Sequence, residues 1–269
     1  GLPHMDYFLS ARVFEAVEDE PSASSASSAQ QAYSEQVALL QSFPSCYARY
    51  QGEVQAFDGS DWGLDFSKKI LLCSGSAFKY PYDAAAMYAE IAARSQEEGT
   101  QLVFFEDDPH IFGLLQVRLQ QAFADRGVAQ QLVFCPWLNR AQYQYLMKQS
   151  YLLLDSLGFS GFNTVMQALD VGLPVVTARG DLLRGRLGSG ALDAVGMDIW
   201  VAESQEAYIA LAVQLVQDAP LRQRYVEAIA SQASVLFDNR SSVDETFAFI
   251  RQWASTTIAQ VEQERQFLG

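Results

Sequence analysis

Three short segments hold the residue types from which this sequence could build a site. The first is Ser74-Gly75-Ser76-Ala77-Phe78-Lys79, where small residues let a ligand approach the backbone and Lys79 offers a lone cation to an anion. The second is Asp155-Ser156-Leu157-Gly158-Phe159-Ser160-Gly161-Phe162-Asn163-Thr164, which leads into a stretch with helical apolar spacing. A helix N-terminus presents unpaired N–H groups and about half a positive charge, which suits phosphate. Asn163 and Thr164 read either as caps or as ligand contacts, and Gln167, one turn on, is placed to reach a sugar or ribose. The third is Pro136-Trp137-Leu138-Asn139-Arg140, with Asn139 as an N-cap and Arg140 and Tyr143 one turn apart. Singly, Lys79 reads equally as a solvated lysine, and Arg140 and Tyr143 as surface residues. Together, each segment follows an apolar run of the same kind, and the three could hold a base, a diphosphate and a sugar.

Other chemistries find little support. There is no G-x-x-x-x-G-K-[ST] loop and no G-x-G-x-x-G after the first strand, so neither phosphate signature is present. Gly1-Leu2-Pro3-His4-Met5 reads as a cloning scar, which leaves His110, among Asp107, Asp108 and Pro109 in an expected loop, as the only native histidine. A Ser-His-Asp arrangement would have to use it, yet no nucleophile elbow precedes a helix. Two His and three scattered Cys (Cys46, Cys73, Cys135) give no basis for a metal site or a disulfide framework, and reduced thiols point to the cytoplasm. Lys plus Arg number 18 against 32 Asp plus Glu, and the net charge of −14 disfavours nucleic acid as a partner. No run approaches the ~20 apolar residues of a membrane span.

The positioning elements follow from pattern. Six short apolar runs, Ile70-Leu71-Leu72-Cys73, Leu102-Val103-Phe104-Phe105, Leu132-Val133-Phe134-Cys135, Tyr151-Leu152-Leu153-Leu154, Val175-Val176-Thr177 and Ile199-Trp200-Val201-Ala202, are too short for helices and too apolar for half-exposed strands. Between them lie helical spacings such as Ala84, Met87, Tyr88, Ile91 and Phe162, Val165, Met166, Leu169. This alternation predicts a doubly wound α/β fold with a mainly parallel, six-stranded, Rossmann-like sheet and C-terminal helices. We divide the chain into the scar at 1–5, a linking segment at 6–65 with a Ser/Ala tract, the main domain at 66–236 and a helical tail at 237–269. Within the linking segment, the spacing of Tyr33, Val37 and Leu40 predicts a helix over 32–40, and residues 51–65 read as a linker.

With these residues in view, positions 69–253 resemble the C-terminal, donor-binding half of the O-GlcNAc transferase family. That family has a GT-B fold and includes the bacterial adhesin N-glycosyltransferases. The strongest likeness is YLLLDSLGFSGFNTVMQALDVGLPVVT at 151–177, followed by GDLLRGRLGSGALDAVG at 180–196 and FCPWLNRAQYQYL at 134–146. MDYFLSARV at 5–13 and YSEQVALLQSFPSCY at 33–47 resemble the stretch linking the two halves of full-length members.

The resemblance implies a UDP-sugar-dependent transferase acting on protein or peptide acceptors without a metal or other cofactor. Lys79 then corresponds to the lysine that neutralises the donor diphosphate, and Asn163 and Thr164 to helix-start residues facing it. Ser74, Gly75, Pro136, Gly161 and Phe162 fall in the same donor loops. Arg140 and Tyr143 stand near the uracil with identities uncommon in the family. Gln167 replaces an acid that grips the ribose. The acceptor site and any general base are implied to lie in an N-terminal half, so the catalytic residues are not identified in this chain, which alone would transfer sugar poorly or not at all. Two alternatives remain open at this point: a regulatory or scaffold domain derived from a glycosyltransferase, and a nucleotide-sugar epimerase.

Overall fold

Each of the six apolar runs becomes a strand in the computed structural model, which describes residues 5–15 and 29–267, with side chains to residue 256. The strands are β3 (Lys69–Cys73), β4 (Thr100–Phe105), β5 (Leu132–Cys135), β6 (Leu152–Leu154), β7 (Val175–Ala178) and β8 (Val201–Ala202). They form one parallel sheet in the order β5-β4-β3-β6-β7-β8. Ile70, Leu71 and Leu72 on β3, the third strand from one edge, are wholly buried. That is what an unbroken apolar run dictates when helices cover a parallel sheet. The order reverses between β3 and β6. In open α/β sheets the crevice at such a reversal is where ligands sit.

Helices α1 (Ala84–Arg94), α2 (Pro109–Asp125), α3 (Arg140–Gln149), α4 (Phe162–Asp170), α5 (Leu187–Asp193), α6 (Gln205–Gln217) and α7 (Ala219–Gln232) make the crossovers and the run after β8. Local chemistry sets where they begin. Asn139 caps α3 and forms a reciprocal capping box with Gln142. The Asp108 carboxylate accepts from the N–H groups of His110 and Ile111 at the start of α2, with Pro109 in the first turn. His110, expected in a loop, is therefore an exposed first-turn helix residue, because an Asp-Pro pair starts a helix more strongly than the charge run argues for a loop.

Compact packing divides the chain into two units, residues 49–235 and residues 1–48 together with 236–269. In the first, the stretch read as a linker over 51–65 packs along α3. Gln55 N–H donates to Ala141 O, and Phe57 meets the rings of Trp62, Phe66 and Tyr145. In the second unit, β1 (Tyr7–Ala11) pairs in parallel with β2 (Gln36–Leu40), and α8 spans Ser241–Phe267. The helix expected over 32–40 is thus corrected to a strand. Its backbone is claimed by the β1 ladder and by Gln30, whose side chain accepts from Val37 N–H, and these outweigh the helical spacing. The Glu245 carboxylate on α8 accepts from Ser42 Oγ and the Gln41 N–H. Residues 21–28 of the Ser/Ala tract, which runs over 21–29, and residues 1–4 of the scar lie outside the described residues.

Helix α7 is anchored to the sheet through Tyr225, whose ring stacks on Trp200 at 4.3 Å and whose hydroxyl donates to Val175 O at 2.8 Å. Tyr225→Phe removes only the hydrogen bond and should cost about 1 kcal/mol. Tyr225→Ala also leaves a cavity and should cost about 3–5 kcal/mol. Denaturant unfolding of both variants checks this ranking, and equal losses would show that the ring is not packed as described.

Candidate functional site

One buried carboxylate holds the loop after β6, on one side of the sheet's reversal, to β7 and to the start of α5. Asp155 follows β6; its Oδ1 accepts from Gly161 N–H at 2.7 Å, and its Oδ2 accepts from Ser160 Oγ at 2.5 Å and Thr177 Oγ1 at 2.8 Å. Ser160 Oγ in turn accepts from Gly188 N–H at 2.7 Å, which ties the start of α5 to the start of α4. Burial pushes the Asp155 carboxyl up, and the three donors and nearby Lys79 pull it back. Gly161 occupies the N-cap of α4 and no side chain caps that helix. The capping reading of Asn163 and Thr164 is thereby set aside, because both stand inside the first turn, past the N-cap.

A cavity of about 410 Å³ opens at the carboxyl ends of the strands, within the ~300–1,000 Å³ typical of small-molecule sites. It receives Ser74, Gly75 and Ser76 from the loop after β3, and Phe105 and Asp107 from the end of β4. Trp137, Leu138, Arg140 and Tyr143 line it from the β5 side, and Asn163, Thr164 and Gln167 from α4. Tyr143 meets the ring of Phe105 edge-on at 5.6 Å, and the Arg140 guanidinium lies over the Tyr50 ring at 4.8 Å. The Asp107 Oδ2 accepts from Ala77 N–H at 2.8 Å, whereas its Oδ1 is buried and meets no donor among the described residues.

Of the residues singled out in the sequence, Ser74, Gly75, Arg140, Tyr143, Asn163, Thr164 and Gln167 are brought together around this space. Pro136, Gly161 and Phe162 are not on its wall. Nor is Lys79, whose Nζ lies 3.5 Å from Ser160 O and 4.8 Å from the centroid of the Phe159 ring, beside the loop that enters α4. Partial burial draws its ammonium below the usual lysine range, opposed by Asp155. Ser76, Phe105, Asp107, Trp137 and Leu138 line the cavity without having been singled out as site residues. Their one available signal is position, just beyond the carboxyl end of a predicted strand. Asp155 was quoted only as part of a loop, since nothing in a sequence marks an acid as a hub of buried hydrogen bonds. Among the described residues no three His, Cys, Asp or Glu side chains converge as metal ligands, and no helix is long and apolar enough to cross a membrane.

A cavity at the reversal of a six-stranded parallel sheet belongs to a Rossmann-like α/β domain, and relatives narrow the class. Residues 116–245 match the sequence model of Glycosyl transferase family 41. A 65-residue stretch is 35% identical to the probable UDP-N-acetylglucosamine–peptide N-acetylglucosaminyltransferase SPINDLY of Eustoma exaltatum subsp. russellianum, covering 24% of this chain and 7% of that one. The fold matches a mutant O-GlcNAc transferase of Thermobaculum terrenum with a TM-score of 0.71 and 23% identity, over 93% of this chain and 45% of that one. It also matches a mutant TarM of S. aureus, solved with fondaparinux, alpha-GlcNAc-glycerol and UDP, with a TM-score of 0.50 and 11% identity over 83% of this chain and 42% of that one. The chain thus has the α/β fold of part of these glycosyltransferase structures, and its residues 116–245 are similar to Glycosyl transferase family 41. It spans less than half the length of these structural relatives.

The hub tolerates no added atom. A Cβ on Gly188 would lie 2.6 Å from Asp155 Oδ2, 2.8 Å from Ser160 Oγ and 2.9 Å from Thr177 Oγ1. Gly188→Ala should destabilise the fold by about 1–3 kcal/mol, read as a lowered unfolding midpoint. An unchanged midpoint would mean that the α4 and α5 starts are not locked together.

Proposed function

We propose that this chain is the donor-binding half of a UDP-sugar-dependent glycosyltransferase that modifies protein acceptors. One observation carries the reading: three loops from separate strands converge on a single cavity beside the uncapped start of α4. In this reading the base lies against Tyr143 and Arg140. The diphosphate faces the start of α4 at Asn163 and Thr164, and Lys79, whose Nζ already reaches the Ser160 carbonyl, turns toward it.

In the reaction the bond between the anomeric carbon and the diphosphate breaks, and an acceptor atom bonds to that carbon. New negative charge then appears on the departing phosphate. A lysine and a helix N-terminus stabilise such charge without a divalent ion. The acceptor site and the group that takes the acceptor's proton are assigned to a separate N-terminal half, so this chain alone should transfer sugar poorly. The three free cysteines support a cytoplasmic setting.

Calorimetry with UDP in a chelator tests the reading. The chain should bind UDP without metal, and Lys79→Ala should weaken binding about 10- to 100-fold, the range for losing a charge-assisted hydrogen bond. Only the protonated lysine pairs with phosphate. Affinity should therefore fall as pH rises through the lowered Lys79 pKa, beginning below the usual lysine range, and should stay flat over that range in Lys79→Arg. No binding by the wild-type chain, or a Lys79→Ala chain that matches it, would overturn the assignment.

A further inference from the structure

Arg140 opens α3 and lines the cavity, and among the described residues no carboxylate pairs with its guanidinium. A long exposed side chain left to itself samples many rotamers, and a ligand that needs it in one of them loses affinity to that ordering. Arg140 is not left to itself. Its Cζ lies 4.8 Å from the centroid of the Tyr50 ring, inside the ~6 Å over which a guanidinium is attracted to a ring face.

Tyr50 does not line the cavity, and it sits in a stretch with neither helix nor strand. It is nevertheless fixed at both ends. Its N–H donates to Asp170 Oδ2 at 2.9 Å; Asp170 is the last residue of α4, and its other oxygen accepts from Arg49 Nη1 at 2.9 Å. The Tyr50 hydroxyl donates to Glu53 O at 2.8 Å. Gly52 lies against the hydroxyl end of the ring, where an added Cβ would overlap it. Farther along, Gln55 N–H donates to Ala141 O at 3.2 Å, and Gln55 Oε1 accepts from Asn139 Nδ2 at 3.4 Å. Residues 49–55 therefore strap the end of α4 to the start of α3, and the strap carries the Tyr50 ring against Arg140.

We propose that Tyr50 is a positioning residue of the cavity: its ring is a shelf that keeps the Arg140 guanidinium in one orientation, ready for the oxygen acceptors of an incoming nucleotide. Tyr50 touches no ligand and acts through Arg140. The inference rests on the donor-binding reading above and adds to it what holds Arg140 in place.

Calorimetry with UDP tests this on the wild-type chain, on Tyr50→Leu, Tyr50→Phe and Arg140→Ala, and on the double variant Tyr50→Leu with Arg140→Ala. Tyr50→Leu keeps an apolar side chain but removes the ring face, and UDP binding should weaken about fivefold. Tyr50→Phe, which restores the face without the hydroxyl, should recover most of the affinity. Arg140→Ala should weaken binding at least as much as Tyr50→Leu does. Adding Tyr50→Leu to it should change nothing further, since the shelf then has nothing to hold. Wild-type affinity in Tyr50→Leu, or a Tyr50→Phe chain as weak as Tyr50→Leu, would overturn the role of the ring. So would an equal loss from Tyr50→Leu with and without Arg140, the mark of a merely structural part. An Arg140→Ala chain that binds UDP as the wild type does would overturn the inference and leave the donor-binding reading standing. A wild-type chain that binds no UDP would instead remove that reading, and this inference with it.

Discussion

A single buried acid organises the site. Asp155 sits at the end of a central strand with no cation bonded to it among the described residues, and three donors from Ser160, Gly161 and Thr177 make its burial tolerable. An isolated carboxylate in such a place would cost several kcal/mol. By satisfying it, the chain fixes the N-cap of α4, the start of α5 through Ser160, and the end of β7 in one network. Tyr208 on α6 closes the network from below, donating to the Asp155 carbonyl at 2.8 Å. Lys79 stands close enough to feel that charge.

The consequence is that the helix start next to the cavity is rigid without being capped. In most helices the first turn spends a Ser, Thr, Asp or Asn on its own N–H groups. Here the cap residue is Gly161, and its N–H is turned inward to Asp155. The side chains of Asn163 and Thr164 are then available to the cavity, beside small residues from the loop after β3. Two strand ends on either side of the sheet's reversal thus contribute opposite walls, and the aromatic residues after β5 extend the same trough.

Much of this was legible in the chain itself. Six uninterrupted apolar runs leave a parallel sheet with covered faces as the natural solution, and seven of the cavity's residues were singled out in the loops that follow them or in the helix turns just after. What escaped the reading has physical reasons. Residues 36–40 carry a helical spacing, but pairing with β1 decides their conformation, and partners distant in sequence do not register in periodicity. Phe105, Trp137 and Leu138 read as strand or loop apolars, since only the fold shows which apolar side chains face a cavity. Asp107 was hidden by its neighbours: in Glu106-Asp107-Asp108-Pro109-His110 it looked like one solvated charge among several, while the fold buries one of its oxygens. Lys79 shows the converse, a residue chosen on its charge that lies beside the cavity wall instead of on it.

The central claim is that the trough across the strand ends of β5, β4, β3 and β6 is a nucleotide site. Crystals of this chain grown with UDP would test it most directly. The account predicts the pyrimidine beside Tyr143 and the diphosphate within hydrogen-bonding distance of the start of α4 at Asn163 and Thr164. UDP bound elsewhere on the chain, or a trough left without nucleotide at saturating UDP, would contradict it.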